Sequence, residues 1–139
     1  MAERRAHGLL DTSVIIDLHR VDAESLPVEA AISAVTLAEL TAGPLATDDP
    51  VERAARQLRL QRTEAAFAPL PFDAECARRY ASVFAAVTAA GRKPRRRFAD
   101  LLIASVALAN ALPLFTANPD DFVGLEGLVA VVGVPRRRM

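Results

Sequence analysis

The stretch Gly8-Leu9-Leu10-Asp11-Thr12-Ser13-Val14-Ile15-Ile16-Asp17-Leu18 places a carboxylate where a short apolar strand turns into a helix. The residues before Asp11 are too few for a helix but suit a buried strand, and Thr12 or Ser13 can cap a helix that begins at Val14. Asp11 is therefore expected at the carboxyl end of a strand, the edge where open α/β sheets bind ligands. A single Asp before a helix is more often a turn residue, so a functional role requires further polar groups at this edge.

The length and composition limit the class of protein. With 139 residues the chain is expected to form one domain over residues 1–139. A hydrophobic fraction of 52% with only 5% aromatic residues favours a helix-rich, closely packed core. The formal net charge of +0 argues against a protein that binds polyanions with its whole surface. It still permits a local basic patch beside a local acidic site.

Neither a leader nor a membrane span is expected from the apolar segments. Asp11 interrupts the first apolar run too early for a signal-peptide core, and residues 101–112 are far short of the roughly 20 needed to cross a membrane. We therefore expect a cytoplasmic protein. Cys76 is the only cysteine, which excludes an internal disulfide and a cysteine metal cluster, and we expect it to pack in the core.

Strands and helices alternate through the middle of the chain. A second strand is predicted over residues 30–35, then a helix opened by Thr36 and ended by Gly43-Pro44. Residues 50–66 have the pattern of an amphipathic helix, expected as a solvated arm or an interface. Residues 68–72 suit a short edge strand, and Asp73 is predicted to cap a long helix that reaches Gly91. The core positions expected on that long helix are Ala77, Tyr80, Ala81, Phe84 and Val87.

The last part of the chain repeats the alternation. The helix around Asp100 is apolar on nearly every side, so we expect it in the core. Strands are predicted over residues 112–115 and 128–132, and the basic tail over residues 136–138 is expected to fray. This order of elements predicts an α/β fold in which polar groups gather at one edge of a parallel sheet.

Polar residues that open helices or follow strands recur along the chain, and each also has an ordinary structural explanation. Glu39 can form a capping box with Thr36, Asp100 can interact with a helix dipole, and Asn118-Pro-Asp is turn chemistry. Two carboxylates about 4 Å apart repel by roughly 4 kcal/mol at an effective dielectric of 20, so a shared site favours a bound cation. All-oxygen ligation indicates Mg²⁺ or Mn²⁺, and neither His7 nor His19 has zinc-motif spacing.

One sharp run of positive charge lies in a predicted loop over residues 91–97, which leads directly into the helix of Asp100. Such a run is usually only solvated. Its position beside an acidic residue makes contact with a polyanion the alternative. The cations of this run are Arg92, Lys93, Arg95, Arg96 and Arg97.

Four motifs together resemble the PIN domains, and within them the VapC-like toxin ribonucleases of toxin-antitoxin pairs. Leu10-Asp11-Thr12-Ser13 is similar to the first motif, and Thr36-Leu37-Ala38-Glu39-Leu40 with Gly43 to the second. Asp100 with Ile103, Ala104 and Ala107 matches the third. Thr116-x-Asn118-x-x-Asp121-Phe122 matches the fourth. The motifs follow the family's order and span nearly the whole chain.

The resemblance implies a three-layer α/β/α fold with a short-stranded parallel sheet and a site that uses Mg²⁺ or Mn²⁺ to cut RNA. Asp11, Glu39 and Asp100 are the implied metal ligands, and Ser13 and Thr116 would support them by hydrogen bonds. The chain departs from the family at Asn118, where many members carry an Asp. Asp121, or less favourably Asp120, is expected to supply the missing carboxylate.

The function implied is a metal-dependent endoribonuclease toxin whose basic run, from Arg92 to Arg97, holds the RNA backbone. The family further implies a homodimer and a small VapB-like antitoxin that lays a helix in an apolar groove and points a basic side chain into the acidic pocket. The helix over residues 50–66 is the expected groove. The alternatives are a catalytically inactive PIN-like module that binds RNA or protein and, less favourably, a phosphatase-like α/β enzyme.

Overall fold

A computed structural model describes residues 4–138, and its centre is a sheet of four parallel strands. The strand order is β2-β1-β3-β4, so the strand that precedes Asp11 is an inner strand. The strands are β1 (His7–Leu10), β2 (Glu29–Ala31), β3 (Leu114–Thr116) and β4 (Val131–Gly133).

Helices connect these strands, as parallel pairing requires. Among residues 4–138, no helix is both long enough and apolar enough to cross a membrane. Short 3-10 turns supplement the α-helices, including one at Pro94–Arg97 and one at Pro119–Phe122. The α-helices are α1 (Thr12–Ile16), α2 (Ala34–Ala42), α3 (Pro50–Ala66), α4 (Ala74–Ala89) and α5 (Phe98–Ala109).

Neighbouring residues of the strands face opposite sides of the sheet, and each side carries its own apolar core. Leu9 and Leu114 pack with buried residues of α4 and α5. Leu10 and Phe115 pack on the other side with residues of α1, α2 and α3. The sheet therefore lies between two helical layers, and the predicted α/β/α architecture is confirmed.

Gly8 permits the close pairing of the two inner strands. A Cβ atom at this position would lie 2.4 and 2.6 Å from ring atoms of Phe115, well inside van der Waals contact. The following backbone bond, from the Asp11 amide to the Phe115 carbonyl at 2.8 Å, carries the pairing to the end of β1. Asp11 is thereby fixed at the carboxyl edge of the sheet.

The predicted first residues of α1 and α2 were wrong. The actual starts leave polar side chains available to the site that the prediction had used as helix caps. Helix α1 begins at Thr12 rather than Val14, with Asp11 in the cap position but without a side-chain cap bond. Helix α2 begins at Ala34, and Ser33 rather than Thr36 caps it: the Thr36 amide donates to Ser33 Oγ at 3.1 Å. The predicted capping box with Glu39 is therefore absent.

The buried face of α4 is also shifted from the predicted one. Cys76, Val83 and Val87 are buried, whereas Ala77 and Ala81 are exposed. Val87 is buried and Tyr80 packs against the core as predicted, so periodicity found part of the buried face and misplaced Ala77, Ala81 and Phe84. Burial of Cys76 agrees with the predicted core role.

Three terminal or edge predictions also need correction. The predicted strand over residues 68–72 reduces to one bridge between Ser33 and Leu70, and the last strand is Val131–Gly133 rather than residues 128–132. The tail residues 136 and 137 are held in place rather than frayed. The backbone amide of Arg137 donates to the Arg20 carbonyl at 2.7 Å, and its side chain pairs with Asp22 at 3.4 Å.

Candidate active site

Asp11 is the most constrained acidic residue of the chain's described part, with only 3% of its surface exposed. The Ser13 and Thr116 hydroxyls donate to its Oδ2 atom, at 2.8 and 2.9 Å. Its other oxygen, Oδ1, is buried and has no hydrogen-bond partner. Because an unpaired buried carboxylate oxygen is costly, this atom is the strongest indication that the residue serves an external ligand.

Burial raises the pKa of Asp11, and the two hydroxyl bonds counteract that rise. Asp121 adds a smaller repulsive contribution in the same direction as burial. The side chain thus occupies an environment that favours its neutral form unless positive charge is supplied.

Glu39 projects from α2 toward the end of β1. The Thr12 hydroxyl lies 2.7 Å from its Oε1 atom and 2.9 Å from the Thr36 hydroxyl. This chain of hydroxyls joins the first turns of α1 and α2. It orients Glu39 while leaving that residue exposed at the surface.

Asp100 lies in the first turn of α5 and is half-buried. Its pKa rises from 3.8 to about 7, first because of burial and then because of the negative charges of Asp11, Asp121 and Glu39. Arg97 acts in the opposite direction. Four carboxylates from separated parts of the sequence therefore act on one another at the same edge of the sheet. We call Asp11, Glu39, Asp100 and Asp121 the acidic cluster.

The turn after β3 brings two further predicted residues to this edge. Asp121 Oδ1 lies 3.1 Å from Arg97 Nη1, in an ion pair that links the turn to the start of α5. The backbone amide of Asn118 donates to Thr116 Oγ1 at 3.0 Å. The side-chain oxygen of Asn118 accepts from Arg136 Nη2 at 3.4 Å. Asp120 is exposed on the same turn.

The donor set has the chemistry that hard divalent cations prefer, since it consists of carboxylate, amide and hydroxyl oxygens. Within residues 4–138, however, no three acidic, histidine or cysteine side chains converge closely enough to form a complete metal site by themselves. The unpartnered Oδ1 of Asp11 and the like-charge repulsion on Asp100 fit a cation at this place.

The structure also brings in residues that sequence reasoning missed. Thr12 was considered only as a helix cap, although its position directly after Asp11 was a usable signal. Arg136 reaches Asn118 and forms an ion pair with Asp17 at 2.8 Å. Nothing in the sequence indicated that this tail residue would return to the site.

The basic run also lies beside the acidic cluster. A 3-10 turn over Pro94–Arg97 leads without a break into α5, so Arg97 is three residues from Asp100. We call residues 91–97 the basic turn. Its cations are exposed apart from the contact of Arg97 with Asp121.

Comparison with known proteins agrees with this geometry. The PIN domain model matches residues 8–127. The chain is 39% identical over 134 residues to Ribonuclease VapC5 of Mycobacterium tuberculosis, covering 94% of this chain and 96% of that protein.

Two solved structures extend the comparison. The VapBC-5 toxin-antitoxin structure of M. tuberculosis contains a chain with a TM-score of 0.78 and 40% identity, covering 91% of this chain and 95% of that one. A chain of FitAcB from Neisseria gonorrhoeae matches with a TM-score of 0.70 and 29% identity, over 88% and 94% of the two chains. With its acidic cluster at the carboxyl edge of a parallel sheet, the chain belongs to the PIN-domain family.

Proposed function

We propose that this protein is a divalent-metal-dependent endoribonuclease, the toxin of a VapBC-type toxin-antitoxin pair in the cytoplasm. The observation that carries the proposal is the acidic cluster, in which Asp11 holds an unpartnered buried oxygen and three other carboxylates raise the pKa of Asp100. The similarity to a VapC ribonuclease over nearly the whole chain supports the same activity.

We assign Asp11, Glu39 and Asp100 as the residues that hold Mg²⁺, or alternatively Mn²⁺. When bound, such an ion polarises the scissile phosphate, favours ionisation of an attacking water and stabilises the leaving oxygen. The products expected from this chemistry carry a 5′-phosphate and a 3′-hydroxyl. The protein's own contribution is to fix the ligands and the RNA in position.

Hydrogen bonds fix which oxygen of Asp11 remains available. Ser13 and Thr116 both donate to Oδ2, so Oδ1 keeps its lone pairs for a ligand. Ser13 Oγ also accepts from the Ala117 amide at 3.0 Å, which ties this arrangement to the turn after β3. Thr12 orients Glu39 in the same manner.

We assign the fourth ligand position to Asp121, with Asn118 supplying a neutral oxygen nearby. Arg97 pairs with Asp121, so binding of a cation would replace the guanidinium as the carboxylate's partner. Arg97 would then be free to contact phosphate, together with the other cations of the basic turn. Asp120 is more exposed and remains the less favoured alternative.

We further propose that α3 and α1 form the groove that receives a VapB-like antitoxin helix. Only Leu60 and Thr63 of α3 are buried, and a groove of about 480 Å³ lies between the two helices. Ile16, Leu18 and Leu58 line it and are 39 to 45% exposed. We call this the partner groove.

The partner groove continues toward the acidic cluster. A second hollow of about 330 Å³ shares Ile16 and Arg59 with it and reaches Glu39. A helix in the groove could therefore extend a basic side chain to Glu39. Arg59 and Arg62 line the partner groove and would pair with acidic residues of the partner, whereas Arg56 is already paired with Glu52. We expect the protein to be a homodimer in the assembled complex.

The direct test is RNA cleavage by Asp11→Asn, Glu39→Gln and Asp100→Asn in Mg²⁺ or Mn²⁺. Each should lose at least about a hundredfold in rate, because a ligand exchanged for a neutral amide weakens both metal binding and phosphate polarisation. Asp48→Asn, an exposed acid outside the cluster, is the matched control and should keep full activity.

Thermal melts in EDTA should show that all four variants remain folded. Wild-type protein that binds RNA but shows no cleavage with any divalent ion would support the inactive binding module instead. The neutral Asn118, held by Arg136, is the observation that favours that second candidate.

A further inference from the structure

The surface beside the basic turn combines exposed aromatic rings with a depression. A groove of about 520 Å³ is lined by Phe84 and Thr88 of α4 and by residues of the basic turn. Phe84 is 48% exposed, and Phe98 at the start of α5 is 56% exposed. Large aromatic side chains with this much exposure are unusual, so the patch suggests a binding role.

Tyr80 holds the two exposed rings in one group. Its ring centroid lies 6.1 Å from that of Phe84, at an interplanar angle of 44°, and 6.0 Å from that of Phe98, in an edge arrangement of 73°. Tyr80 is itself partly buried against the core of α4 and α5. The rings of Phe84 and Phe98 thus lie in one cluster, on either side of Tyr80 in the chain of ring contacts. We call Tyr80, Phe84 and Phe98 the aromatic platform.

The charged side chains that line the groove beside Phe84 have one sign. Arg92, Lys93, Arg95 and Arg96 are exposed, and in the ion pairs of residues 4–138 none of these four takes part. No acidic side chain lines the groove beside Phe84. The surface therefore offers free positive charge next to aromatic rings, which matches a ligand with negative charges and flat apolar groups.

The charge distribution argues against a second copy of this chain as the occupant. A twofold contact through this patch would bring the basic turn of one copy near the basic turn of the other. Four unpaired cations on each side would then repel without a compensating acid. An RNA strand supplies both phosphates for the cations and bases for the rings.

We propose that the aromatic platform stacks the unpaired bases of a single-stranded segment of RNA, while the basic turn holds its phosphates. This inference rests on the proposed ribonuclease function and specifies the substrate's form. Phe98 lies two residues before Asp100 on the same helix, so a strand seated here is led toward the acidic cluster. Bases inside a duplex cannot reach such rings, so loops and unpaired ends are selected over helical RNA.

The first experiment uses the absence of tryptophan from the chain. In EDTA, which prevents cleavage, Phe84→Trp should show quenching of its single tryptophan when a short single-stranded RNA is added. The same RNA in duplex form should quench little. Val28→Trp is the matched control. Val28 is 62% exposed, but it directly precedes β2 and therefore lies at the amino end of that strand, whereas the acidic cluster lies at the carboxyl ends. The fluorescence of this control should not respond.

The second experiment separates stacking from charge. Phe84→Leu keeps an apolar side chain but removes the ring, and it should weaken binding of the single strand about tenfold. An abasic strand with the same number of phosphates should bind wild type and Phe84→Leu equally. Arg95→Ala/Arg96→Ala should weaken binding of both strands. Circular dichroism checks that each variant is folded.

Equal loss of affinity for the normal and abasic strands in Phe84→Leu would overturn the stacking proposal. So would a change of oligomeric state in Phe84→Leu without a change in RNA affinity, which would assign the platform to contact between copies. Because all of these measurements are made without cleavage, a failed nuclease activity would leave their outcome readable. Absence of RNA cleavage by the wild-type protein contradicts the proposed function, whereas absence of base-dependent binding in EDTA contradicts this inference.

Discussion

At the scale of single residues, the site depends on the different surroundings of four carboxyl groups. Asp11 is buried with one oxygen bonded and one free, Glu39 is exposed and held by Thr12, and Asp121 is paired with Arg97. Asp100 carries the large pKa rise, first because it is partly buried and then because the other three negative charges act on it. The fold thus gives each carboxyl group of the acidic cluster a different set of neighbours.

The raised pKa of Asp100 predicts how stability changes with pH. Below about pH 4 the group is neutral in both the folded and the unfolded chain. As pH rises toward 7 the unfolded chain loses the proton first, so the free energy of unfolding falls over this interval. Asp100→Asn removes this dependence. Allowing for solvent screening, we expect the variant to be more stable by about 1 kcal/mol at pH 8, or roughly 3 to 5 °C in Tm.

The measurement is a series of thermal melts in EDTA between pH 4.5 and 8, with Asp48→Asn as the exposed control. The two curves for wild type and Asp100→Asn should meet near pH 4.5 and separate as pH rises. Parallel curves at every pH would mean that the Asp100 pKa is ordinary and that the carboxylates do not act on one another.

At this scale the sequence predicted that Asp11 follows a strand and that Asp100 lies in the first turn of a helix, as the structure has them, but it did not predict the bond from Thr12 to Glu39. Placement of Asp11 after a strand follows from a local pattern of a few residues. The bond from Thr12 to Glu39 joins residues that are 27 apart, and its existence depends on α2 beginning at Ala34. Ser33 and Thr36 are both good caps, so the local sequence could not decide between them.

At the scale of elements, α3 and α4 show why amphipathic patterns indicate a helix more reliably than its buried face. Helix α3 was predicted over residues 50–66 and has those bounds. Helix α4 was also found, but Phe84 lies on an exposed face rather than in the core. When alanines occupy several sides of a helix, the neighbouring elements decide which side is buried. The periodicity of apolar residues then gives little information about the buried side.

From the exposed apolar face of α3 we expect that one substitution can weaken antitoxin binding without changing RNA cleavage. Leu58→Asp replaces an apolar side chain of the partner groove with a charged one, which removes apolar contact area and which a docked helix would have to desolvate. Affinity for the co-expressed antitoxin should fall by at least about a hundredfold, whereas RNA cleavage should be unchanged. Val28→Asp is the control at an exposed apolar position away from the groove. Retained affinity in Leu58→Asp, measured by titration calorimetry, would place the antitoxin elsewhere.

The basic turn predicts a change in the salt dependence of RNA binding. Arg95→Ala/Arg96→Ala removes two exposed cations, so the slope of log affinity against log salt should become shallower by about 1.4 for a single strand. The bond that is cut should stay the same, because phosphate contacts position a substrate without reading its sequence. The matched control is Arg78→Ala/Arg79→Ala, whose cations already pair with Glu75. An unchanged slope in the first variant would make the turn a merely solvated loop.

At the scale of the whole molecule, two features share the acidic cluster. The hollow that adjoins the partner groove reaches Glu39, and the basic turn reaches Asp121 through Arg97. The cation bound by the acidic cluster can therefore be a metal ion or the guanidinium group of an arginine. That arginine can belong to this chain or to a partner. Regulation by an inserted basic side chain follows from the same electrostatics that favour the metal.

Inhibition by the antitoxin is accordingly expected to compete with the metal ion. Raising Mg²⁺ or Mn²⁺ should weaken the apparent inhibition constant in proportion to metal occupancy, at constant ionic strength. The same titration with Na⁺ controls for general screening. An inhibition constant that does not change with divalent ion would contradict insertion into the cluster and favour simple blocking of RNA access.

The hydrogen bond between Thr116 and Asp11 joins residues that are 105 positions apart, and the segment that follows Thr116 is itself anchored through the Val134 amide. During translation the site therefore stays incomplete until β3, β4 and the tail have left the ribosome. A nascent chain that lacks β3 holds Asp11 with the Ser13 hydroxyl but without that of Thr116. Completion of the site is thus a late event in folding, because it requires pairing between β1 and a strand more than a hundred residues later in the chain.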